Sequence, residues 1–129
     1  MRIFMVKAFG RFRRRERISE WMLCDAIARA EKGLVDADLG GRLIKQRVAR
    51  KGQGRSGGFR TLIAIRSAER AVFLYGFAKS ERGDIAPDRL AELKFYAGHW
   101  LALDDVTLDR AVADGDLQEV VCDQATEEA

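Results

Sequence analysis

The sequence predicts a small α+β protein, because helical and strand-like segments occupy separate parts of the chain. Two helical segments lie near the N-terminus, three strand-like runs follow between residues 43 and 77, and an amphipathic helix begins at Pro87. Turn-forming residues join the consecutive strand runs, which is typical of antiparallel pairing. With 129 residues, 47% of them apolar, the chain can form one domain with a hydrophobic core. We assign residues 1–122 to that domain and expect residues 123–129 to be a disordered polar tail.

The N-terminal segment is expected to contain one strand and two helices. Arg2–Val6 is short, apolar and β-branched, which favours a strand. A basic helix over residues 8–17 follows, with two Phe side chains three residues apart on its inner face. Ser19 is placed to begin a second helix over residues 20–31, and Gly33 to end it. The sequence leaves open whether these two segments form a helical hairpin or one kinked helix.

A charged strand, Leu43–Ala49, follows a connection over residues 34–41. Because side chains alternate between the two faces of a strand, Lys45 and Arg47 share one face, roughly 6 to 7 Å apart along the chain. That separation suits one or two adjacent phosphates. The same pattern is also found on the solvated face of an antiparallel sheet.

The segment after this strand is expected to be a loop and then a pair of strands. Gly52–Gly58 is rich in glycine and is interpreted as a flexible hairpin connection, since it matches neither common phosphate-binding glycine motif. Thr61–Ile65 is continuously apolar, as in a central strand, and Ala71–Phe77 is its hairpin partner. Alternation puts four side chains of the latter segment on one face, where they either stack bases or belong to the core: Phe73, Tyr75, Phe77 and Lys79.

The C-terminal part begins with a strongly amphipathic helix. Its apolar positions recur at helical spacing: Leu90, Leu93, Ala97 and Leu101. Thr107 is expected to cap a short last helix that ends at Ala113, and Leu117–Cys122 to form a terminal strand. His99, the single histidine, lies near the apolar face of the first of these helices and is expected to have a structural or solvent-facing role.

Charge is distributed very unevenly along the chain. Residues 41–82 hold 11 Lys/Arg against two Asp/Glu, whereas residues 83–129 hold three against 12. A basic segment mounted on an apolar sheet indicates a surface for phosphates. Four arginines of the first helix either contact nucleic acid or the ribosome or form a solvated face: Arg13, Arg14, Arg15 and Arg17. The acidic segment from Asp104 to Glu128 is a candidate to cover the basic surface in cis.

Several kinds of chemistry find no support in the residue types. One His and two distant Cys give no metal-ligand spacing and no nucleophile–histidine set. Cys24 and Cys122 are expected to be reduced, partly buried thiols of a cytoplasmic protein. No apolar run approaches the roughly 18 residues of a transmembrane helix, so no membrane contact is expected. Clustered Arg and Lys can stabilise a pentacoordinate phosphate, and RNA supplies its own nucleophile in the 2′-OH.

Three segments together resemble one protein family. These are residues 44–50 (Ile-Lys-Gln-Arg-Val-Ala-Arg), residues 52–60 (Gly-Gln-Gly-Arg-Ser-Gly-Gly-Phe-Arg) and residues 75–82 (Tyr-Gly-Phe-Ala-Lys-Ser-Glu-Arg). In this order they are similar to the RelE/HigB-like toxins of type II toxin–antitoxin systems, within the RelE/ParE superfamily. The segment Gly115–Val120 is similar to the same subgroup, so that the resemblance covers nearly the whole chain.

The resemblance implies a fold and an activity. The fold would have two N-terminal helices on a small twisted, mainly antiparallel sheet, with further helices at the C-terminus. The activity would be metal-independent cleavage of mRNA, usually on the ribosome, by attack of the 2′-OH on the adjacent phosphate, without a cofactor. A cognate antitoxin, expected to be a helix-turn-helix protein, would neutralise it. The catalytic positions that the resemblance implies are Lys45, Arg47, Arg60 and Lys79. The RNA-binding positions are Arg50, Lys51, Arg55 and Arg82.

Two other functions use the same basic surface. One is a non-catalytic nucleic-acid-binding module, which would bind RNA with strong salt dependence but would not cut it. The other is a docking surface for an acidic protein partner, which would show no RNA affinity once that partner is removed.

Overall fold

The computed structural model describes residues 1–50, 54–78 and 85–122, with side chains described outside residues 49–57. Ten elements follow one another within these ranges. They are β1 (Arg2–Val6), α1 (Lys7–Arg15), α2 (Glu20–Glu31), β2 (Ala37–Gly40), β3 (Leu43–Arg50), β4 (Gly54–Arg66), β5 (Arg70–Ala78), α3 (Pro87–Ala102), α4 (Asp105–Ala113) and β6 (Leu117–Val120). In these described ranges, no helix combines the length and apolar character needed to cross a membrane.

The six strands form one sheet in the order β2-β3-β4-β5-β1-β6. Every neighbouring pair of strands is antiparallel except the pair β1–β5, which is parallel. After α2 the chain begins β2 at the far edge of the sheet and forms the β2–β5 meander. The last strand of this meander, β5, lies beside β1 and runs in the same direction. An α+β fold with a mainly antiparallel sheet is therefore confirmed.

Helices cover both faces of this sheet, and each face has its own apolar cluster. The α1–α2 face buries side chains of those two helices against one set of strand residues, including Phe9, Leu23, Ile44, Val48 and Phe73. The α3–α4 face buries the alternate strand residues, including Phe4, Leu43, Leu62, Leu93 and Leu108. Since adjacent residues of one strand serve opposite clusters, a shift of one residue in register would expose both cores.

The first two helices are separate elements, which settles the open alternative. Arg17 has a φ of +58° in the turn between them, where the helical path stops. Ser19 is the N-cap of α2 as predicted, although its hydroxyl makes no capping hydrogen bond. Gly33 has a φ of +83° just after the helix, which confirms the predicted stop and explains the choice of glycine.

Several expected boundaries were wrong. The first helix ends at Arg15 rather than at residue 17, and the terminal strand ends at Val120 rather than at Cys122. Residues 34–41 are not only a connection, because Ala37–Gly40 pairs with β3 as a short edge strand. The glycine-rich segment is not a loop from residue 54 onward, because Gly54 pairs with Arg50 and β4 begins there. Pairing with β3 overrides the weak strand propensity of glycine in this segment. The last helix begins earlier than expected, and its cap is Asp104, whose Oδ1 accepts a hydrogen bond from the Thr107 N–H at 2.8 Å.

The two cysteines form a disulfide, so the expectation of reduced thiols was wrong. Cys24 lies in α2 and Cys122 follows β6, and their Cα atoms are 5.8 Å apart. Val120 at the end of β6 belongs to the same buried cluster as Cys24, which brings the two segments together. The sequence separation of 98 residues gave no local signal for this pairing. The bond ties the C-terminal strand to the second helix.

Candidate nucleic-acid interface

Three basic side chains lie together on the α3–α4 face, where β3 and β4 pair. Lys45 and Arg47 lie on the same face of β3, as alternation predicted, and Arg47 is the cross-strand partner of Arg60. Arg60 in turn is paired with Phe77 on β5, and Leu62, the partner of Lys45, is paired with Tyr75. We call Lys45, Arg47 and Arg60 the cationic cluster. Like charges directly opposite each other repel, so this arrangement requires a counter-charge.

An irregularity in β5 decides which aromatic side chains join this face. Leu62 is paired with Tyr75, but Ile63 is paired with Phe73, so Leu74 is an extra residue on β5. The resulting bulge moves Phe73 to the α1–α2 face, where it packs against Phe9 with ring centroids 5.1 Å apart. The expectation of one continuous aromatic row was therefore wrong, because an inserted residue inverts the alternation.

Tyr75 and Phe77 remain beside the cationic cluster. Their ring centroids are 6.0 Å apart, and the guanidinium of Arg89, in the first turn of α3, lies 5.3 Å from the Tyr75 ring centroid. Phe77 is buried and Tyr75 is partly exposed. Cations stacked with an aromatic ring beside phosphate-binding groups are typical of surfaces that hold single-stranded nucleic acid.

The carboxylate of Asp36 is the counter-charge of the two arginines. Its Oδ2 lies 3.8 Å from Nε of Arg47 and 3.7 Å from Nε of Arg60. The side chains are only partly exposed, by 32% for Arg47, 13% for Arg60 and 25% for Asp36. Within the described part of the chain, both guanidiniums have a buried nitrogen without a hydrogen-bond partner, Nε of Arg47 and Nη1 of Arg60. Buried donors left open in this way are the groups that an oxyanion would satisfy.

A groove adjoins this face where β5 continues beyond its pairing with β1, which ends at Phe73. It has a volume of about 580 Å³ and lies between α1 and residues 74–77. Arg11 and Arg15 form its basic wall, and Phe12 and Tyr75 contribute aromatic surface. Of the four arginines singled out in and just after the first helix, Arg15 shares the lining of this groove with Tyr75 and Phe77.

A second cavity, of about 620 Å³, lies on the other side of the cationic cluster. Its lining includes Asp25, Arg29, Asp36 and Arg47. Arg29 Nη2 donates a hydrogen bond to the Arg47 backbone carbonyl at 2.7 Å, and Arg29 Nε donates one to Asp25 at 3.0 Å. Arg29 thereby fixes the backbone of β3 at the position that carries Arg47.

Several of the expected positions cannot be assigned a place at the interface. Lys51, Lys79 and Arg82 lie outside the described residues. Arg50 and Arg55 belong to β3 and β4 by backbone, and their side chains also lie outside what is described. Lys45, Arg47 and Arg60 are the predicted positions that the structure brings together. Asp36, Arg89 and Arg29 were missed by sequence reasoning, since only the pairing of distant segments reveals them.

The acidic C-terminal segment does not cover the cationic cluster within the described residues. Asp109 and Glu119 instead lie 2.8 and 2.9 Å from a guanidinium nitrogen of Arg2, and Asp105 lies 3.6 Å from Arg70. Hydrogen bonds to Glu119 and then Asp109 raise the pKa of Arg2. These carboxylates neutralise the charges of Arg2 and Arg70, on strands β1 and β5. In the part described, the acidic segment therefore leaves the cationic cluster accessible.

The remaining polar groups give no other centre of chemistry in the described ranges. His99 is exposed and packs edge-on against Trp100, with ring centroids 4.9 Å apart. Across residues 1–50, 54–78 and 85–122, no three His, Cys, Asp or Glu side chains converge as they would around a metal ion.

The fold and this surface define a class: a small α+β protein whose sheet carries paired arginines beside aromatic rings. The profile of the RelE toxin family, described as "RelE toxin of RelE / RelB toxin-antitoxin system", matches residues 1–120. A comparison with curated proteins found no match. The chain belongs to the RelE toxin family and is a toxin of a toxin–antitoxin system, with a cognate antitoxin as its partner.

Proposed function

We propose that this toxin is an endoribonuclease that cleaves mRNA on the ribosome without a metal ion and thereby inhibits translation. The observation that supports the proposal is the pair of cross-strand arginines, Arg47 and Arg60, each of which has a buried N–H group without a hydrogen-bond partner among the described residues. Their exposure is low, which strengthens a charge–charge interaction with phosphate relative to that at a fully solvated surface.

The proposed reaction uses the 2′-OH of the substrate as the nucleophile. This oxygen attacks the adjacent phosphorus, the bond to the 5′-oxygen of the next nucleotide breaks, and Arg47 and Arg60 stabilise the pentacoordinate phosphate. Lys45 and Lys79 are the proposed proton-transfer groups, since arginine stays protonated. The products are a 2′,3′-cyclic phosphate and a 5′-hydroxyl, so that atoms and protons balance without a cofactor.

The surrounding groups would position the RNA strand. Tyr75 and Arg89 offer a stacking surface beside the scissile phosphate, and Arg11 and Arg15 extend the basic surface along the groove. The proposed RNA-positioning residues that the resemblance adds are Arg50, Lys51, Arg55 and Arg82.

The biological setting follows from this activity. The toxin domain spans residues 1–122, acts in the cytoplasm where mRNA is translated, and is neutralised by a helix-turn-helix antitoxin. A metal-independent reaction is supported by the arginine pair, which supplies the positive charge that a metal ion supplies in other nucleases.

The test is induced expression of the wild type beside the Arg47→Ala/Arg60→Ala variant, with growth and mRNA 5′ ends measured together. A Lys32→Ala/Arg110→Ala variant removes the same charge from exposed positions and is the control. We expect growth arrest and new 5′ ends in the wild type and the control only. Intact mRNA with soluble, folded wild-type protein would contradict cleavage and favour a non-catalytic RNA-binding module. Cleavage of free mRNA by the purified toxin, as fast as of ribosome-bound mRNA, would contradict ribosome dependence.

A further inference from the structure

The ion pair of Asp36 with both arginines is a feature that the family resemblance did not indicate. Asp36 lies just before the edge strand β2, whereas its two partners lie on β3 and β4. Among the described residues it is the one carboxylate within 4 Å of a side-chain nitrogen of Arg47 or Arg60. A single negative charge therefore serves two positive charges, and the cationic cluster keeps a net positive charge.

The position of Asp36 is fixed by a buried amide. Gln46 is fully buried, and its Oε1 accepts a hydrogen bond from the Asp36 backbone N–H at 3.3 Å. The Gln46 Nε2 donates to the carbonyls of Ala26 and Leu34 at 2.9 and 3.0 Å. The segment before β2 is thereby tied to both α2 and β3. The backbone of Asp36 is thus held in place beside the arginines.

The geometry of the contact neutralises charge without occupying the donors. Separations of 3.7 and 3.8 Å are longer than a hydrogen bond, and among the residues that the structure describes Nε of Arg47 and Nη1 of Arg60 have no hydrogen-bond partner. Because these nitrogens are buried, a phosphate would reach them only by displacing the groups that cover them, and it would then satisfy both donors. It would, however, bring a second negative charge close to Asp36.

We propose that Asp36 acts as an internal counter-anion that stands in for an RNA phosphate in the free toxin and sets its affinity for RNA. The proposal rests on the RNA-cleaving function above. Asp36 holds the like-charged arginines together while the site is empty. RNA must then bind against this charge, so that Asp36 weakens binding and lowers its dependence on salt.

The test is the Asp36→Asn variant, which keeps the size of the side chain and the backbone hydrogen bond to Gln46. Its affinity is measured by fluorescence anisotropy with a labelled 2′-O-methyl oligonucleotide, which lacks the nucleophilic hydroxyl. We expect binding about two- to fivefold tighter than that of the wild type, the range for one partly exposed charge–charge interaction, because the variant no longer repels the phosphate. The slope of log Kd against log salt should steepen by up to about 0.7, the contribution of one further phosphate contact.

Two controls make the result specific. Asp114→Asn removes the same charge from an exposed position at the end of α4 and should change the affinity much less. In an Arg47→Ala/Arg60→Ala background, Asp36→Asn should have little further effect, because its partners are gone. Unchanged or weaker binding by folded Asp36→Asn would overturn the counter-anion proposal, as would an equal gain in that background.

Failure of this proposal can be told apart from failure of the proposed function. If the wild type binds the oligonucleotide and loses affinity on Arg47→Ala/Arg60→Ala, an inert Asp36→Asn variant overturns the role of Asp36 alone. If the arginine substitutions leave the affinity unchanged, or if no binding occurs, both the RNA site and the role of Asp36 are overturned.

Discussion

Gly76 is the position where one methyl group should disturb both the core and the candidate interface. A Cβ built on Gly76 would lie 2.4, 2.7 and 3.0 Å from three ring atoms of Phe12. The ring cannot easily retreat, because it is buried against Phe9 and Phe59 with centroid separations of 5.7 and 5.6 Å. Overpacking of this kind costs about 1–3 kcal/mol, so Gly76→Ala should lower the free energy of unfolding by at least about 1 kcal/mol. Urea denaturation monitored by tryptophan fluorescence measures it.

The matched control is a second glycine with open space around it. Gly98 lies in α3, and among the described residues no heavy atom outside its own helical turn comes within 4 Å of its ideal Cβ. Gly98→Ala should therefore stabilise the protein by about 0.5–1 kcal/mol through helix propensity. The steric explanation also requires coupling to Phe12. Phe12→Leu should recover part of the loss in the Gly76→Ala background, by about 0.5–3 kcal/mol of interaction energy. Additive effects of Gly76→Ala and Phe12→Leu, or equal effects of the two glycine substitutions, would refute the argument.

Three further substitutions test the fold and its response to pH. The Cys24→Ala/Cys122→Ala variant should lose about 2–4 kcal/mol of unfolding free energy in urea, because the disulfide closes a long loop. An equal urea midpoint of the wild type with and without reductant would contradict the disulfide. Gln46→Leu should lose about 2–4 kcal/mol, since buried partners of the amide lose hydrogen bonds, and wild-type stability would disprove that role. The hydrogen bond from Thr107 lowers the pKa of Asp104 from its ordinary value of 3.8, so the carboxylate stabilises the fold above that value and this stabilisation is lost as pH falls through the lower, folded-state pKa. Urea midpoints of Asp104→Ala and the wild type should therefore differ at neutral pH and converge in strong acid; a constant difference would point to lost packing instead.

Strand alternation was enough to predict which side chains of β3 share a face. Because the period of a strand is two residues, Lys45 and Arg47 had to lie together wherever the strand was placed. The partner of Arg47 could not be derived in the same way. The pairing of Arg47 with Arg60 depends on the register of β4, and the spacing of residues within one strand carries no information about its neighbour.

The parts that sequence reasoning missed depend on contacts between distant segments. Asp36 lies in a segment without strong periodicity, and its significance emerges only when Gln46 ties that segment to β3. Cys24 and Cys122 are far apart in the sequence and meet because β6 pairs with β1 at the edge of the sheet. An excess of acid in residues 34–40 beside a basic strand was the one available hint of a counter-charge.

The bulge at Leu74 connects the core to the candidate interface. By inverting the alternation in β5, it directs Phe73 to the α1–α2 face and Tyr75 to the side of the cationic cluster. Gly76, two residues further along, admits the ring of Phe12 against the strand, so that α1 lies close to the edge of β5. The groove with Arg11 and Arg15 follows from that close approach. A regular β5 would present Phe73 and Tyr75 to the same face. The inserted residue therefore both completes the core beneath α1 and puts an aromatic side chain beside the arginines.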